Sequence, residues 1–323
     1  MTVASPSGEP ARVARWRRNV GAWFGSVPVV GLVSPEDSRR IDWLRQVPFI
    51  AINAGCLAVP WVGVSATAIS VAVVLYALRM FAITAFYHRY FSHRAFQTSR
   101  AMQFVFALIG AASAQRGPLW WASHHRHHHV HSDLPEDSHS ALRHGLLWSH
   151  VGWFMSRGNF APRSEFTSSF ARFPELRFLD RWDALVPAAL CVVLFVAGDI
   201  ANRVAPQLNT SGAQLLVWGF CVSTVALYHA TFSINSLAHR FGSRRYETRD
   251  ASRNNAWLAI FTFGEGWHNN HHHYPASARQ GFYWWELDLT YLALKLMARI
   301  GLVRGLKMVP RTVRDAAGRG EAP

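Results

Sequence analysis

Seventeen histidines lie between His88 and His273, and nine of them fall in three short groups whose spacing suits metal ligation. The groups read H-R-Y-F-S-H from His88 to His93, H-R-H-H-H from His125 to His129, and G-E-G-W-H-N-N-H-H from Gly264 to His272. Neutral imidazole is a common ligand of iron, copper and zinc. Nine imidazoles exceed the roughly four to six donors that one first-row ion holds. Each group also sits close to a long apolar run, so the sequence predicts a two-metal site at a membrane surface.

Side chains three and four residues apart share a helix face. His268, His271 and His272 therefore present three imidazoles together. The middle group offers two registers, His124/His127/His128 and His125/His128/His129, and spacing alone does not choose between them. His88 and His93 lie about 140° apart on a straight α-helix. They converge only where the helix ends or bends, or else they serve different ions. Asn235 and His239 form an i, i+4 pair at the end of the last apolar run, adding an amide and an imidazole. His124, His127, His131, His144, His150, His229 and His273 read as supporting, surface or packing residues, and His139 as intermediate. A lone histidine cluster is most often a solvated surface; three clusters and a pair, all near helix ends, fit metal better.

An all-nitrogen dimetal site suits redox iron, which can reduce O2 and remove hydrogen from an unactivated C–H bond. The protein's part in such chemistry is geometry and exclusion of water. The chain has no G-x-G-x-x-G signature, no C-x-x-C-H haem attachment and too few cysteines for an iron–sulfur cluster. Electrons must then arrive from a separate redox protein.

Four apolar runs must position these residues. Half of the 323 residues are apolar, and a membrane-spanning helix needs about 20 mostly apolar residues. The expected spans are 47–64, 65–87, 182–201 and 212–234, with Ala101–Ala114 too short to cross and read as interfacial or buried. Seven arginines precede Val47, whereas the Trp61–Ser65 turn has none and the Asp199–Ser211 loop only Arg203. The positive-inside rule then puts both termini and the large segment after His88 in the cytoplasm. The expected fold is an all-α integral membrane protein with four transmembrane helices and a cytoplasmic helical cap carrying the dimetal site. Residues 1–40 read as a flexible basic tail, 41–310 as one domain and 311–323 as a second tail. Phe282–Val303 reads as an interfacial helix, aromatic at its start and basic at its end.

The net charge of +14 suits cytoplasmic contact with anionic lipid or an anionic substrate. Nucleic acid is not expected, because the basic residues flank membrane segments and form no recognisable module. Cys56, Cys191 and Cys221 lie in apolar segments without paired spacing and read as small core residues. No cleavable signal peptide is evident, and the first span serves for insertion.

With these motifs in hand, the chain resembles the membrane fatty-acyl desaturases of the stearoyl-CoA (delta-9) type, over about Asp42 to Pro310. That family's boxes H-x-x-x-x-H, H-R-x-H-H and G-E-G-x-H-N-x-H-H map onto His88/His93, His125/Arg126/His128/His129 and Gly264/Glu265/Gly266/His268/Asn269/His271/His272. Arg126 selects the second of the two registers. The N-S-x-x-H segment is Asn235–His239. The resemblance implies two iron ions held by His88, His93, His125, His128, His129, His239, His268, His271 and His272, with Asn235 reaching iron through water. It implies a cis double bond formed near the middle of a saturated acyl chain in a bent tunnel. Trp121 matches a tunnel aromatic, Arg157 after S-H-V-G-W matches a CoA headgroup contact, and Phe232 stands where a Trp is usual. Ser123-His124 replaces the Arg-Asp that contacts CoA in the animal enzymes, and Arg157-Gly158 replaces a basic pair. Acyl-CoA is the first expectation as substrate, with acyl carrier protein or a membrane phospholipid as other carriers. Arg244, Arg245, Arg249 and Arg253 could bind phosphate or form a solvated face near lipid. The expected electron donor is external, a ferredoxin with its reductase or a cytochrome b5.

Two rival readings remain. A related histidine-rich hydroxylase or ketolase shares the first hydrogen abstraction; the G-E-G-W-H-N and N-S-L-A-H strings favour desaturation. A metal transporter would place ionisable ligands along a path at mid-membrane, but the first two apolar runs carry no acid or histidine before His88. The chain shows no endoplasmic-reticulum retention tail and no fused haem domain, and the expected location is a bacterial inner membrane.

Overall fold

Prolines, glycines and hydroxyl caps set where the apolar helices start and stop. The computed structural model describes residues 39–166 and 169–318. The expected tail at 1–40, apart from its last two residues, and the final residues 319–323 lie outside the described residues. Helix α1, Val47–Val62, begins with Pro48 in its first turn. A 3₁₀ turn at Cys56–Ala58 precedes Pro60, which supplies no backbone donor. Gly63, at φ +69°, ends the helix, a left-handed turn glycine adopts without penalty. Sixteen residues at about 1.5 Å each give roughly 24 Å, short of a bilayer core of about 30 Å.

Three described helices are long and apolar enough to cross: α2 (Ala66–Ser92), α6 (Leu185–Val204) and α7 (Gly212–His239). The first expected span, 47–64, is the shorter helix α1, which Gly63 ends after Val62. Ser65 caps α2 by accepting from the Ala68 N–H at 3.1 Å, and Ser211 caps α7 through Gln214 at 3.2 Å. Both helices run beyond the expected spans and so carry His88 and His239 on rigid extensions. The final eleven residues of α2, Ala82–Ser92, are π-helical. Buried Arg79 ties α2 to its neighbours: it donates to Ala112 O at 3.1 Å, to Thr224 Oγ1 at 2.7 Å and to Ser223 Oγ.

Besides single turns, six further helices lie toward the His88 and His239 ends of α2 and α7: α3 (Arg100–Ala111), α4 (Pro118–His131), α5 (Pro174–Arg181), α8 (Ala256–Phe261), α9 (His268–His273) and α10 (Leu289–Arg299). Asp180 of α5 caps α4, accepting from the Leu119 and Trp120 N–H groups at 3.0 and 2.8 Å. Strands β1 (Gln97–Thr98) and β2 (Val303–Arg304) pair antiparallel. The helix expected over Phe282–Val303 is confined to α10. Ahead of it, carboxylates take the backbone donors instead: Asp288 accepts from Gln280 N–H at 2.7 Å and Glu286 from Tyr283 N–H at 3.1 Å. The segment expected as a C-terminal tail begins docked, with the Tyr246 and Tyr283 hydroxyls donating to Arg314 O at 2.7 and 3.3 Å.

Two apolar cores result. One surrounds the π-helical end of α2 with Phe86, Tyr87, Phe91 and Phe96; the other joins α1, α6 and α7 through Ile52, Leu194, Phe220 and Phe232. The three cysteines are free. A cavity lies against the second core.

Candidate metal centre

The π-helical turn resolves the spacing of His88 and His93. A π-helix hydrogen-bonds i to i+5, so side chains five apart stack along one face instead of diverging. The His88 and His93 rings lie 5.0 Å apart between centroids. Five histidines then converge: His88, His93, His125, His129 and His271, with ring nitrogens all within 4.8 Å of one another. Four more, His128, His239, His268 and His272, form a second group by the same measure. Consecutive residues on α4 and α9 divide between the groups, His128/His129 and His271/His272, which sets the two side by side.

Within the first group the Nε2 atoms of His88 and His271 are 2.9 Å apart, those of His271 and His129 2.8 Å, and those of His93 and His125 2.8 Å. In the second, His239 Nε2 and His268 Nε2 are 3.1 Å apart. Two ligands bound at right angles to one ion at about 2.1 Å would stand about 3.0 Å apart.

Proton positions decide whether these are hydrogen bonds or metal ligands. His88 donates its Nδ1–H to Glu265 Oε2. His128 donates to Asp137 Oδ2 at 3.0 Å, His239 to Asp133 Oδ2 at 3.1 Å and His272 to Asp250 Oδ2 at 2.6 Å. A neutral imidazole with its proton on Nδ1 has only a lone pair on Nε2. His272 Nε2 is buried without any partner. Lone pairs converging in a dry interior repel unless a cation lies among them, and carboxylate-supported imidazoles are the usual arrangement around a metal. The donor set therefore fits metal ions, one per group.

The electrostatics agree. Burial, followed by the charge of neighbouring imidazoles, holds His93, His125, His129, His268 and His271 well below the ordinary histidine range, and burial brings His272 to about 4. His128 is raised: burial opposes its charge, but Asp137 outweighs burial. Burial alone would raise the Asp133 carboxyl, yet its bonds from His239, Ser140 and Ala251 hold it at about 2. Most of these imidazoles are thus neutral at neutral pH, the form that binds metal.

An acid limit follows for the metal-free protein. Histidines lowered in the fold take up protons at about pH 6.5 when unfolded. Between that value and their folded ones the unfolded state binds more protons, so stability falls as pH falls. The lowered carboxylates of Asp133, Asp137 and Asp250 act in the same direction at lower pH; His128 and the buried Asp180 carboxyl, which burial raises to about 6, act the other way but are outnumbered. Thermal unfolding of chelator-treated protein should drop steadily from pH 7 to 5. A flat or rising profile would contradict the buried, neutral state of the ligand rings.

Of the motif residues, Glu265 is placed by the third box itself. Gly266 explains part of that box: a Cβ there would lie 2.1 Å from Ala259 N and 2.4 Å from Asn255 O, so only glycine lets α8 approach so closely. Sequence reasoning missed Asp133, Asp137 and Asp250, and Gln280, whose amide N–H donates to Glu265 Oε2 at 3.1 Å beside the bond from His88. The only sequence signal was the acidic D-L-P-E-D run after the middle box. His139 joins His128 and Asp137 in a further compact group, and burial takes it to about 3.

A cavity of about 640 Å³ reaches the site. Its wall includes His125, Trp121 and Asn235 at the metal end and Leu216 and Cys221 at the other. Leu216 and Asn235 belong to one helix, whose rise separates them by roughly 28 Å, so the cavity is long. Trp121 stacks on the His125 ring with 5.1 Å between centroids. Phe232 lines the cavity against Tyr228, 5.3 Å away. Arg157 is exposed and is not part of this wall; its N–H donates to Arg40 O at 3.0 Å. Nor do Arg244, Arg245, Arg249 or Arg253 reach the cavity. They clamp loops: Arg245 pairs with Glu286, and Arg253 donates to Gly242 O at 3.1 Å.

A profile of the family described as fatty acid desaturase matches residues 60–302. An sn-1 stearoyl-lipid 9-desaturase of Anabaena variabilis is 35% identical over 282 residues, 86% of this chain and 98% of the relative. An sn-2 palmitoyl-lipid 9-desaturase of Nostoc sp. (strain 36) is 34% identical over 293 residues, 87% and 96% of the two chains. An acyl-CoA 5-desaturase of Anemone leveillei is 32% identical over 286 residues, 84% of each.

Proposed function

Because the chain belongs to the fatty acid desaturase family, oxidoreductases that act on acyl chains, we propose that it inserts a cis double bond, at delta-9, into a saturated chain. The reaction uses O2 and two electrons from a separate redox protein. The observation that supports this best is that one long apolar cavity ends on His125, a member of the first imidazole group. Apolar pockets of this size hold an elongated ligand by burial. A hydroxylase would share the metal groups, and no feature of the cavity favours it.

The nine histidines of the two groups would hold two irons, with Asn235 placed on the cavity wall to reach them through water. Bound iron supplies the power to reduce O2 and take hydrogen from an unactivated C–H bond. The chain's own residues do the rest. Glu265, Asp133, Asp137 and Asp250 fix the imidazole tautomers by accepting Nδ1–H. Trp121 buttresses His125 and forms the cavity wall at the reacting carbons. Phe232, Tyr228 and Phe49 exclude water along the chain.

We place a membrane lipid ahead of CoA as the carrier, since the two most similar relatives described above act on lipid-linked chains by name, and Arg157 stands off the cavity. Helix α1, short as it is, would complete a fourth crossing, leaving both termini and the histidine-bearing layer as a cytoplasmic cap on one domain.

Expression with a redox partner in a host of defined fatty-acid content should yield a new monounsaturated species by gas chromatography. The double bond should appear first in intact phospholipid in a pulse-label experiment. A hydroxy acid as the main product would refute desaturation; label appearing first in acyl-CoA would refute the lipid carrier.

A further inference from the structure

The acyl cavity is open along one side. Away from the imidazole groups its wall consists, among the described residues, of three helices. Helix α7 forms the back, with Leu216, Phe220 and Tyr228, while α1 and α6 form the sides. Both side helices pack on α7 through the second core. Ala51 of α1 and Ala188 of α6 line the cavity, yet both are exposed. Each belongs to the outward stripe of its helix, Ala51 beside exposed Val47 and Ile50, Ala188 beside exposed Leu185 and Val192. A side chain that meets cavity and exterior at once marks an opening, and small residues on both edges leave that opening unobstructed. The exterior here is hydrocarbon, since α6 is long and apolar enough to cross a membrane.

The end of the cavity at which α1, α4 and α6 begin is latched. There the Arg45 and Arg116 guanidiniums each lie 3.7 Å from the centre of the Phe160 ring, and Arg116 pairs with Asp183 at 3.3 Å. All four side chains line the cavity. Guanidinium–aromatic contacts are attractive, so an end-on path must part them. For a lipid already in the bilayer, that path would also draw its chain out of hydrocarbon and past polar groups. A sideways path keeps every methylene away from water.

Taking the lipid-linked substrate of the proposed function as premise, we propose that the acyl chain of a bilayer glycerolipid enters the cavity sideways, through the seam between α1 and α6. Its headgroup and second chain stay in the membrane. The seam, and not the latched end, then admits substrate and releases product. Ala51 and Ala188 keep it open by having no bulk to close it.

The test uses the full chain in phosphatidylcholine vesicles, with a trace of phosphatidylcholine whose stearoyl chain carries a nitroxide near its methyl end. Electron spin resonance should show an immobilised fraction in the wild type. Ala51→Phe/Ala188→Phe, which plugs the seam, should lose the part of that fraction held in the cavity. Leu57→Phe/Val193→Phe, on exposed positions of the same helices off the cavity, should keep it. A reversible form of the plug guards against misfolding. In a chain with Cys56, Cys191 and Cys221 replaced by alanine, Ala51→Cys/Ala188→Cys is bridged by a reducible thiol cross-linker. The bridged chain should retain labelled lipid loaded beforehand and exclude lipid added afterwards, and reductant should undo both effects. With iron and a redox partner supplied, the rate of unsaturation of vesicle lipid should fall in step with binding. An immobilised fraction unchanged by the plug would overturn the proposal, as would equal loss in Leu57→Phe/Val193→Phe, which assigns the signal to the outer helix faces. Free exchange of lipid in the bridged chain would also overturn it and leave the latched end as the route. Binding that follows the seam while the wild type forms no unsaturated product would refute the desaturase reading and leave the lateral port standing.

Discussion

His268→Ala and His128→Ala should each abolish the unsaturated product while leaving the amount of membrane-inserted protein close to wild type. Both rings belong to the second imidazole group, and loss of either leaves three. Removing only a carboxylate that supports a metal-bound histidine commonly costs 10–100-fold in metal affinity or activity; loss of the ligand itself should cost more than about a hundredfold. His128 has a further role, since its Nδ1 pairs with Asp137, and alanine there leaves that buried carboxylate without its partner. Neither residue lies in the membrane-spanning stretch, so insertion does not depend on it. His127→Ala is the informative control. His127 is buried beside His131 with 4.4 Å between ring centroids, yet it belongs to neither group, and its variant should keep product within about threefold. Gas chromatography of host lipids reads all three variants. Product retained in His268→Ala, or lost in His127→Ala alone, would reverse the ligand assignment.

The second large effect concerns the far end of the cavity. Leu216→Trp should redirect the enzyme toward shorter chains. Leu216 lines the cavity some five turns of α7 away from Asn235, and it belongs to a π-helical stretch, Leu216–Val222. An indole there fills space that the methyl end of a long chain would occupy. Each methylene an apolar pocket can no longer accommodate costs about 1–3 kcal/mol, or roughly 10–200-fold in specificity. Competition between C16 and C18 chains should therefore shift by at least about tenfold, with total turnover of the shorter chain near wild type. An unchanged chain-length ratio would mean that the acyl chain does not reach Leu216. Loss of folding through overpacking is checked by detergent-exchange chromatography, and Leu216→Met, nearly equal in volume, should leave the ratio as it was.

The histidine boxes were legible because helical periodicity operates within a few residues. H-x-x-H-H on one face needs no knowledge of the rest of the chain. The pairing of His88 with His93 was not, because hydrophobic pattern does not distinguish a π-helical turn from an α-helical one. The second register of the middle group could be chosen only through the family motif; the structure puts His125, His128 and His129 in the two imidazole groups, while His124 instead bonds Ala161 O at 3.0 Å. Asp133, Asp137 and Asp250 were beyond reach for a different reason. Their partners, His239, His128 and His272, are up to 106 residues away, and a short acidic run looks the same whether it is solvated or supports a ligand. Apolar runs marked α2, α6 and α7 well, since length and composition suffice there. They marked α1 to within two residues of its end at Gly63, and they overstated the segment before α10, where Glu286 and Asp288 capture backbone donors. The four arginines at 244–253 were read by charge alone, whereas their geometry is set by loop carbonyls that sequence does not reveal.

The central claim is that the two imidazole groups each bind an ion. Metal analysis of the purified, iron-reconstituted chain tests it most directly, alongside the His268→Ala variant. The expected result is two irons per chain in the wild type and close to one in the variant. One iron or fewer in the wild type, or two in the variant, would contradict it.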